Sequence, residues 1–249
     1  MDYSQQTAEF ESQGFTIVRQ LLPAEEFAEL QKELARYIRE VVPTLPETYA
    51  FYQDRSKPET LKQLQNMAVD PFFAAYREHP RWNELAAALL SEPVSALDPE
   101  WFGKPPRTPH PTPAHQDNYY FKLVPPSVLT VWMAMEEIDE ENGCLRYVAG
   151  SHRDGIRSHA KTEVLGFSQG ITDYGPADAA REVIIRLSPG DVVCHHGNTI
   201  HRAEANNSAT RHRRAFAMVF KGASAERDDA AFAEYQQTLQ AQRAELKEA

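Results

Sequence analysis

A histidine and a carboxylate stand two residues apart near the middle of the chain, in the triplet His115-Gln116-Asp117. The flanking residues predict a strand that begins at this triplet, and residues two apart in a strand point to the same side. The imidazole and the carboxylate are therefore expected to converge on one point inside a β structure. Because a His-x-Asp triplet often arises by chance, a surface histidine beside a loop aspartate is the competing interpretation.

Three later histidines are candidates to complete a metal site with this pair: His195, His196 and His201. Two imidazoles and one carboxylate on one face of a metal ion leave three coordination positions open. That arrangement is diagnostic of non-haem Fe(II) oxygenases. The residue pattern alone does not choose among the three histidines.

A basic cluster, Arg211, Arg213 and Arg214, follows the histidines. An oxygenase that uses 2-oxoglutarate needs a permanent cation for the distal carboxylate of that cosubstrate, and the planar fork of arginine provides it. Arg211 and Arg213 would share one face of a strand, so the pattern leaves the choice between them open. A solvated turn is the competing interpretation for two of the three arginines.

The elements that must position these residues change in character near Leu97. Before it, apolar residues at three- and four-residue steps predict a helix from about Pro23 to Val42. A strand over 14–18 precedes that helix, and a capping box at Ser56 predicts the start of another. After Leu97, short apolar runs separated by turn residues predict an all-β sandwich or barrel. These runs cover 119–123, 128–135, 144–148, 183–187, 191–194 and 215–220.

The fold class predicted from these patterns is mainly β with a helical N-terminal part. No Gly/Ser-rich linker divides the chain, so one domain over 1–249 is expected. It would consist of a mainly helical front over 1–96, a β core over 97–222 and a C-terminal helix over 223–249. The long segment from Ser151 to Glu182 interrupts the strands and is predicted to be a lid, since long loops in compact domains are usually functional. A surface excursion with fixed packing is the alternative.

Composition narrows the class of protein. The chain has 249 residues, of which 42% are hydrophobic and 25% charged, as in an ordinary soluble domain. The net charge of −10 argues against a nucleic-acid surface, which needs a basic excess. Two cysteines form no disulfide framework and fit a reducing compartment. Neither a signal peptide nor a transmembrane run is visible, so we expect a cytoplasmic protein that acts on a small molecule rather than on a membrane.

Several motifs, taken in order, resemble the phytanoyl-CoA dioxygenase (PhyH) family of Fe(II)/2-oxoglutarate-dependent oxygenases. Each motif is weak alone, but their joint order and spacing over most of the chain is specific. They are Gly14-Phe15-Thr16-Ile17-Val18, Gly103-Lys104-Pro105-Pro106, His115-Gln116-Asp117, Trp132-Met133-Ala134-Met135-Glu136, Asn142-Gly143-Cys144-Leu145, Gly150-Ser151-His152, Pro189-Gly190-Asp191, and His201 followed by Asn206, Ser208, Arg213, Arg214 and Ala215.

The resemblance implies a double-stranded β-helix, the cupin-like jelly roll, flanked by helices. It also assigns the iron ligands as His115, Asp117 and His201, which leaves His196 as a pocket or structural histidine. A small hydroxyl residue is common two positions after the last ligand in the family. This sequence departs from that pattern with Ala203.

The same resemblance implies the cosubstrate residues. Arg213 would bind the distal carboxylate of 2-oxoglutarate, with Arg211 and Arg214 as alternatives because the spacing is one residue longer than expected. Trp132 would line the cosubstrate pocket. Lys62, expected on the helical front, would reach the same pocket.

The expected activity follows from the retained carboxylate. Relatives that halogenate have lost this ligand, so Asp117 favours hydroxylation, with Fe(II), 2-oxoglutarate and O2 required and succinate and CO2 released. One alternative is a non-redox metal-binding jelly roll that acts as a hydrolase, isomerase or sensor, and another is a binding module without catalysis. Arg213 and Trp132 discriminate, because those proteins need no dicarboxylate pocket.

Overall fold

The computed structural model describes residues 1–162 and 169–248, the last ten of these by their backbone alone. Helices lie mainly in the first part of the chain. They are α1 (Ser4–Gln13), α2 (Ala24–Arg36), α3 (Pro71–Tyr76), α4 (Pro80–Leu90), α5 (Asn118–Phe121), α6 (Pro176–Ala179) and α7 (Asp229–Glu248). A π-helical turn, Tyr37–Val41, continues α2 to the predicted end near Val42. Within the described chain, no helix is both long and apolar enough to span a bilayer.

The strands occupy mostly the second part of the chain. They are β1 (Phe15–Val18), β2 (Ala50–Tyr52), β3 (Leu61–Leu64), β4 (Val94–Ala96), β5 (Glu100–Lys104), β6 (Thr112–His115), β7 (Leu123–Val124), β8 (Val128–Ala134), β9 (Leu145–Val148), β10 (His159–Lys161), β11 (Gln169–Ile171), β12 (Glu182–Ile184), β13 (Val192–His196), β14 (His201–Ala203), β15 (Arg213–Gly222) and β16 (Glu226–Arg227).

Two antiparallel sheets form the body of the protein. The larger has the order β1-β13-β8-β15-β5-β3-β2, with β4 also paired to β15, and the smaller has the order β12-β9-β14-β6. Side chains from the two sheets meet in a shared apolar layer that includes Trp132, Val193 and Ala217 from the larger sheet and Tyr147 and Leu145 from the smaller. This arrangement confirms the predicted jelly roll.

The helical front covers the outer face of the larger sheet. Strand β15 alternates, so that Phe216, Met218 and Phe220 point towards the helices, while Ala215 and Ala217 point inwards. Trp82 of α4 is fully buried and packs edge-on against Phe216, with ring centroids 5.6 Å apart. Because both faces of this sheet are buried, its strands are nearly continuous apolar runs, and these were recognisable in the sequence.

Two local predictions outside the His115 triplet and Lys62 are wrong. Residues 119–123 were expected to form a strand, but the chain forms α5 there, and the Asn118 side chain ties the turn to both backbone groups of Leu123. The helix expected from Ser56 is only a 3-10 turn, Pro58–Thr60, after which the chain extends as β3. Pairing of Gln63 with Phe102 of β5 outweighs the local helix signal.

Candidate metal and cosubstrate site

The two imidazoles of the predicted triad are brought together by strand pairing in the smaller sheet. His115 ends β6 and His201 begins β14, and their Cα atoms are direct antiparallel partners. Directly opposed residues point to the same face of a sheet, and the two ring centroids are 4.2 Å apart. Both side chains lie on the interior face and are buried.

Asp117 reaches the same point by a different route from the predicted one. The chain leaves β6 at His115, and Asp117 has helical dihedrals at the N-cap of α5, so the triplet is not one strand with two inward side chains. Its Oδ1 lies 3.6 Å from Nε2 of His115 and 3.5 Å from Nε2 of His201. The three ligand atoms are within 4.8 Å of one another, close enough to share one metal ion.

Each histidine is oriented through its second ring nitrogen. Nδ1 of His115 donates to the carbonyl of Pro113 at 2.8 Å, and Nδ1 of His201 donates to the carbonyl of Thr199 at 3.0 Å. This fixes the tautomer whose Nε2 lone pair faces Asp117. Burial lowers the pKa of both imidazoles, so both stay neutral at neutral pH, as metal ligands must.

The second oxygen of Asp117 is held by the larger sheet. Although burial alone would raise the pKa of Asp117, the surrounding histidines hold it well below its usual range. Oδ2 accepts from Nε2 of His195 at 2.9 Å and from Oγ1 of Thr130 at 2.8 Å. Nδ1 of His195 in turn accepts from the hydroxyl of Tyr147 at 2.8 Å. Since Oδ2 is occupied in this way, Oδ1 is left to face Nε2 of His115 and of His201.

The remaining competing histidine has a structural environment. Nδ1 of His196 accepts from the backbone N–H of Asn198 at 3.0 Å. Its ring packs near those of Phe10 and His152, with centroids 6.1 and 5.5 Å away. His196 points to the face of β13 opposite to His195, so it does not approach the triad.

Arg213 is the arginine of the basic cluster that faces the interior. Its side chain is buried, and its guanidinium lies 5.3 Å from the ring of Trp132. Within the described part of the chain, its Nε has no hydrogen-bond partner. Burial lowers the pKa of Arg213 to about 10, and among the residues described no carboxylate forms an ion pair with it. A buried cation without a counter-ion is costly, which points to an anionic ligand.

The other two arginines are already paired at the surface. Arg211 contacts Asp139 at 2.8 Å and Glu141 at 3.0 Å. Arg214 binds Glu136 through two nitrogens, at 2.9 and 3.0 Å. Their cations are satisfied by acids of the protein itself, whereas Arg213 forms no ion pair among the described residues. The role of Arg213 as the cosubstrate arginine stays a prediction.

Two lysines extend this basic pocket. Lys62 lies on β3, not on a helix as expected, and burial followed by the charge of Arg213 lowers its pKa. Lys104, the direct partner of Arg213 on β5, is buried and donates to the carbonyl of Glu204. Burial and the two neighbouring cations lower its pKa to about 6. The sequence motif contained Lys104, but its inward direction depends on the register of β5.

Residues 155–159 of the segment predicted as a lid lie against Gln116 and α5, next to the candidate metal ligands. The side chain of Gln116 donates to the carbonyl of Gly155 and accepts from the backbone N–H of Arg157, both at 2.8 Å. His159 stacks on Tyr119 of α5, with ring centroids 4.0 Å apart. Residues 163–168 of the predicted lid lie outside the described residues. The location fits a cover over the site, and the opening motion stays a prediction.

Comparison with known families now decides the classification. The family model for phytanoyl-CoA dioxygenase (PhyH) matches residues 10–215. The chain belongs to the phytanoyl-CoA dioxygenase family. Membership confirms the resemblance and places the chain among the 2-oxoglutarate-dependent non-haem iron oxygenases.

Curated members of the phytanoyl-CoA dioxygenase family match most of the chain at low identity. A probable phytanoyl-CoA dioxygenase of Caenorhabditis elegans is 26% identical over 218 residues, which are 80% of this chain and 69% of the relative. The human peroxisomal phytanoyl-CoA dioxygenase is 25% identical over 213 residues, again 80% of this chain but 62% of the relative. The chain thus spans less than two thirds of the human relative's length.

Solved structures share the fold. EvdO2 from Micromonospora carbonacea var. aurantiaca, complexed with 2-oxoglutarate, is 25% identical with a TM-score of 0.70, covering 91% of this chain and 93% of that one. The epimerase SnoN, in complex with Fe3+, alpha ketoglutarate and nogalamycin RO, is 22% identical with a TM-score of 0.70, covering 89% and 84%.

The donor set of this chain fits the groups bound in those neighbours. Two neutral imidazoles and one carboxylate oxygen are the ligands of an open iron site. The unpaired buried guanidinium of Arg213 fits a carboxylate of the cosubstrate.

Proposed function

We propose that the protein hydroxylates a small molecule with Fe(II), 2-oxoglutarate and O2. In the balanced reaction, a substrate C–H becomes C–OH and 2-oxoglutarate becomes succinate and CO2. One atom of O2 enters the new hydroxyl group and the other enters succinate, while CO2 comes from the carboxylate that 2-oxoglutarate loses. The observation that carries the proposal is the combination of the intact carboxylate triad with a buried, unpaired Arg213 in one jelly-roll interior. A small-molecule substrate and a cytoplasmic location, predicted from the sequence, complete the proposal.

The residues of the chain would divide the work as follows. His115, Asp117 and His201 would hold the iron, which supplies the activation of O2. Arg213 would fix the distal carboxylate of 2-oxoglutarate by a charge-assisted fork, and Trp132 would form the wall beside it.

The burial of the triad would keep bulk water away from the reacting centre, where it would otherwise compete with the substrate. Asp117 has a particular part because both of its oxygens have defined contacts. Oδ2 accepts from His195 and Thr130, so the carboxylate would present one oxygen to the metal. An Asp117 fixed in this way leaves no vacant ligand position for a halide, which favours hydroxylation over halogenation.

A non-redox metal protein is the alternative function. It would share the triad, but it would have no use for the basic pocket of Arg213, Lys104 and Lys62. That pocket therefore favours the oxygenase.

The test is the formation of succinate from 2-oxoglutarate by purified protein, with and without added Fe(II). We expect iron-dependent succinate formation, slow without substrate, and a faster rate when a substrate is present. A protein that binds iron but forms no succinate under any condition would support the non-redox alternative.

A further inference from the structure

A cavity of about 380 Å³ lies beside α5 and strands β5 and β15. Its lining includes Glu100, Phe121 and Val219. Phe121 belongs to α5, whose N-cap is Asp117. Val219 is the direct cross-strand partner of Thr130, which donates to Asp117. Phe121 is thus connected to Asp117 through α5, and Val219 is connected to Asp117 through Thr130, as expected of a substrate site beside the metal ligands. The volume suits a small molecule.

Glu100 faces this space from the interior side of β5. Its neighbour Trp101 packs into the outer core under the helices, whereas Phe102 packs into the layer between the sheets. Side chains alternate along a strand, so Glu100, Phe102 and Lys104 share the inner face. Lys104 lies beside Arg213, and Glu100 lies beside Ala217. The inner face therefore carries cations at one end and a carboxylate at the other.

Among the described residues, the carboxylate of Glu100 has no counter-ion. Oε2 accepts from the amide of Gln63 at 3.2 Å, and no lysine, arginine or histidine of the described chain forms an ion pair with it. Arg77, the arginine in the cavity wall, is directed to Asp98 at 3.5 Å. Burial raises the pKa of Glu100 to about 7, with further contributions from Asp117 and Asp98. A cation brought by a ligand would compensate this charge.

We propose that Glu100 recognises a cationic group of the substrate, an amine or a guanidinium, while another carbon of that substrate lies at the metal site. The inference rests on the proposed oxygenase function and names the substrate class. Since Arg77 and Asp98 pair with each other, Glu100 is left as the uncompensated charge of the described lining, and an anionic group would not be favoured beside it.

The test compares three probes of equal chain length: hexylamine, hexanoate and 1-hexanol. Each is titrated calorimetrically, without oxygen, into full-length protein loaded with Fe(II) and 2-oxoglutarate. We expect hexylamine to bind at least about tenfold more tightly than hexanoate, with 1-hexanol between them, because a charge-assisted contact is stronger than a neutral one. Glu100→Gln keeps the shape and should reduce the preference for the amine to less than about threefold.

Glu40→Gln is the matched control. It makes the same substitution at an exposed glutamate that lies outside the cavity and is paired with Arg39, so the amine preference should remain. Equal affinity for hexylamine and hexanoate in the wild-type protein would overturn the proposal without reference to any variant. So would an undiminished preference in folded Glu100→Gln.

The same titrations distinguish this inference from the proposed function. If the protein takes up iron and 2-oxoglutarate but shows no amine preference, the assignment of Glu100 alone fails. If it does not take up iron and 2-oxoglutarate, the oxygenase assignment fails. The probes are then titrated into metal-free protein, where Glu100, which is not a metal ligand, is tested in the same way.

Discussion

Replacement of Arg213 by alanine should weaken the binding of 2-oxoglutarate severely. The guanidinium is buried, has no carboxylate partner among the described residues, and lies 5.3 Å from the ring of Trp132. In the variant, the distal carboxylate of bound 2-oxoglutarate would be left in a pocket without the guanidinium of Arg213. Truncating one partner of such a buried pair costs about 2–5 kcal/mol. The affinity should fall roughly thirtyfold or more, since about 1.4 kcal/mol corresponds to tenfold.

The assay is calorimetric titration of 2-oxoglutarate into the iron-loaded protein without oxygen, with the Michaelis constant for 2-oxoglutarate as a second readout. Arg213→Lys should recover only part of the affinity, because lysine lacks the planar fork. Arg214→Ala is the matched control, since that guanidinium is bound to Glu136. Unchanged affinity in Arg213→Ala, together with a loss in Arg211→Ala, would refute the assignment of the cosubstrate pocket.

The remaining predictions concern the positioning of a ligand, acid stability and coupling. His195→Gln and Tyr147→Phe should each weaken iron binding, because His195 orients Asp117 and Tyr147 orients His195. For His195→Gln the loss should be roughly ten- to a hundredfold, as for other groups that orient a metal ligand. Unchanged affinity in a direct Fe(II) titration would contradict this orienting role. Burial would raise the pKa of Asp191, but hydrogen bonds from Arg19 and nearby backbone groups keep that pKa below its usual value. The ionised carboxylate therefore adds to the free energy of unfolding above about pH 4, and this stabilisation is lost as the pH falls further. Denaturant titrations at several pH values should therefore give Asp191→Asn a flatter acid dependence than wild type, and equal slopes would refute the claim. Shortening the segment 151–182 should lower the hydroxylated product formed per succinate, whereas tight coupling would contradict a lid.

The parts of the fold predicted from the sequence are those with local signals. The helix after Pro23 has its apolar stripe on one side, and Leu30 and Leu34 are buried as that pattern requires. The strand over 128–135 was recognisable because both faces of the larger sheet are covered. The strand predicted over 119–123 was wrong. Aromatic residues favour strands, but side-chain hydrogen bonds of Asn118 stabilise a helical turn there.

The site was only partly predictable for a physical reason. The triplet gave the right residue types, but Asp117 converges with His115 because the chain turns into α5 and not because both belong to one strand. His195 was predicted only as a candidate metal ligand, not as a partner of Asp117, and no role was predicted for Lys104 or Glu100. Their inward directions depend on register with distant strands. Non-local pairing of this kind leaves no short-range pattern in a single sequence.

The most direct test of the iron assignment is anaerobic measurement of Fe(II) stoichiometry and affinity in the wild-type protein and in His115→Ala, Asp117→Ala and His201→Ala. We expect one tightly bound iron per wild-type chain and a large loss of affinity in each variant, with the fold kept as judged by thermal unfolding. His196→Ala, which alters a histidine outside the triad, should bind iron as wild type does. Iron binding that survives in His201→Ala and disappears in His196→Ala would contradict the account.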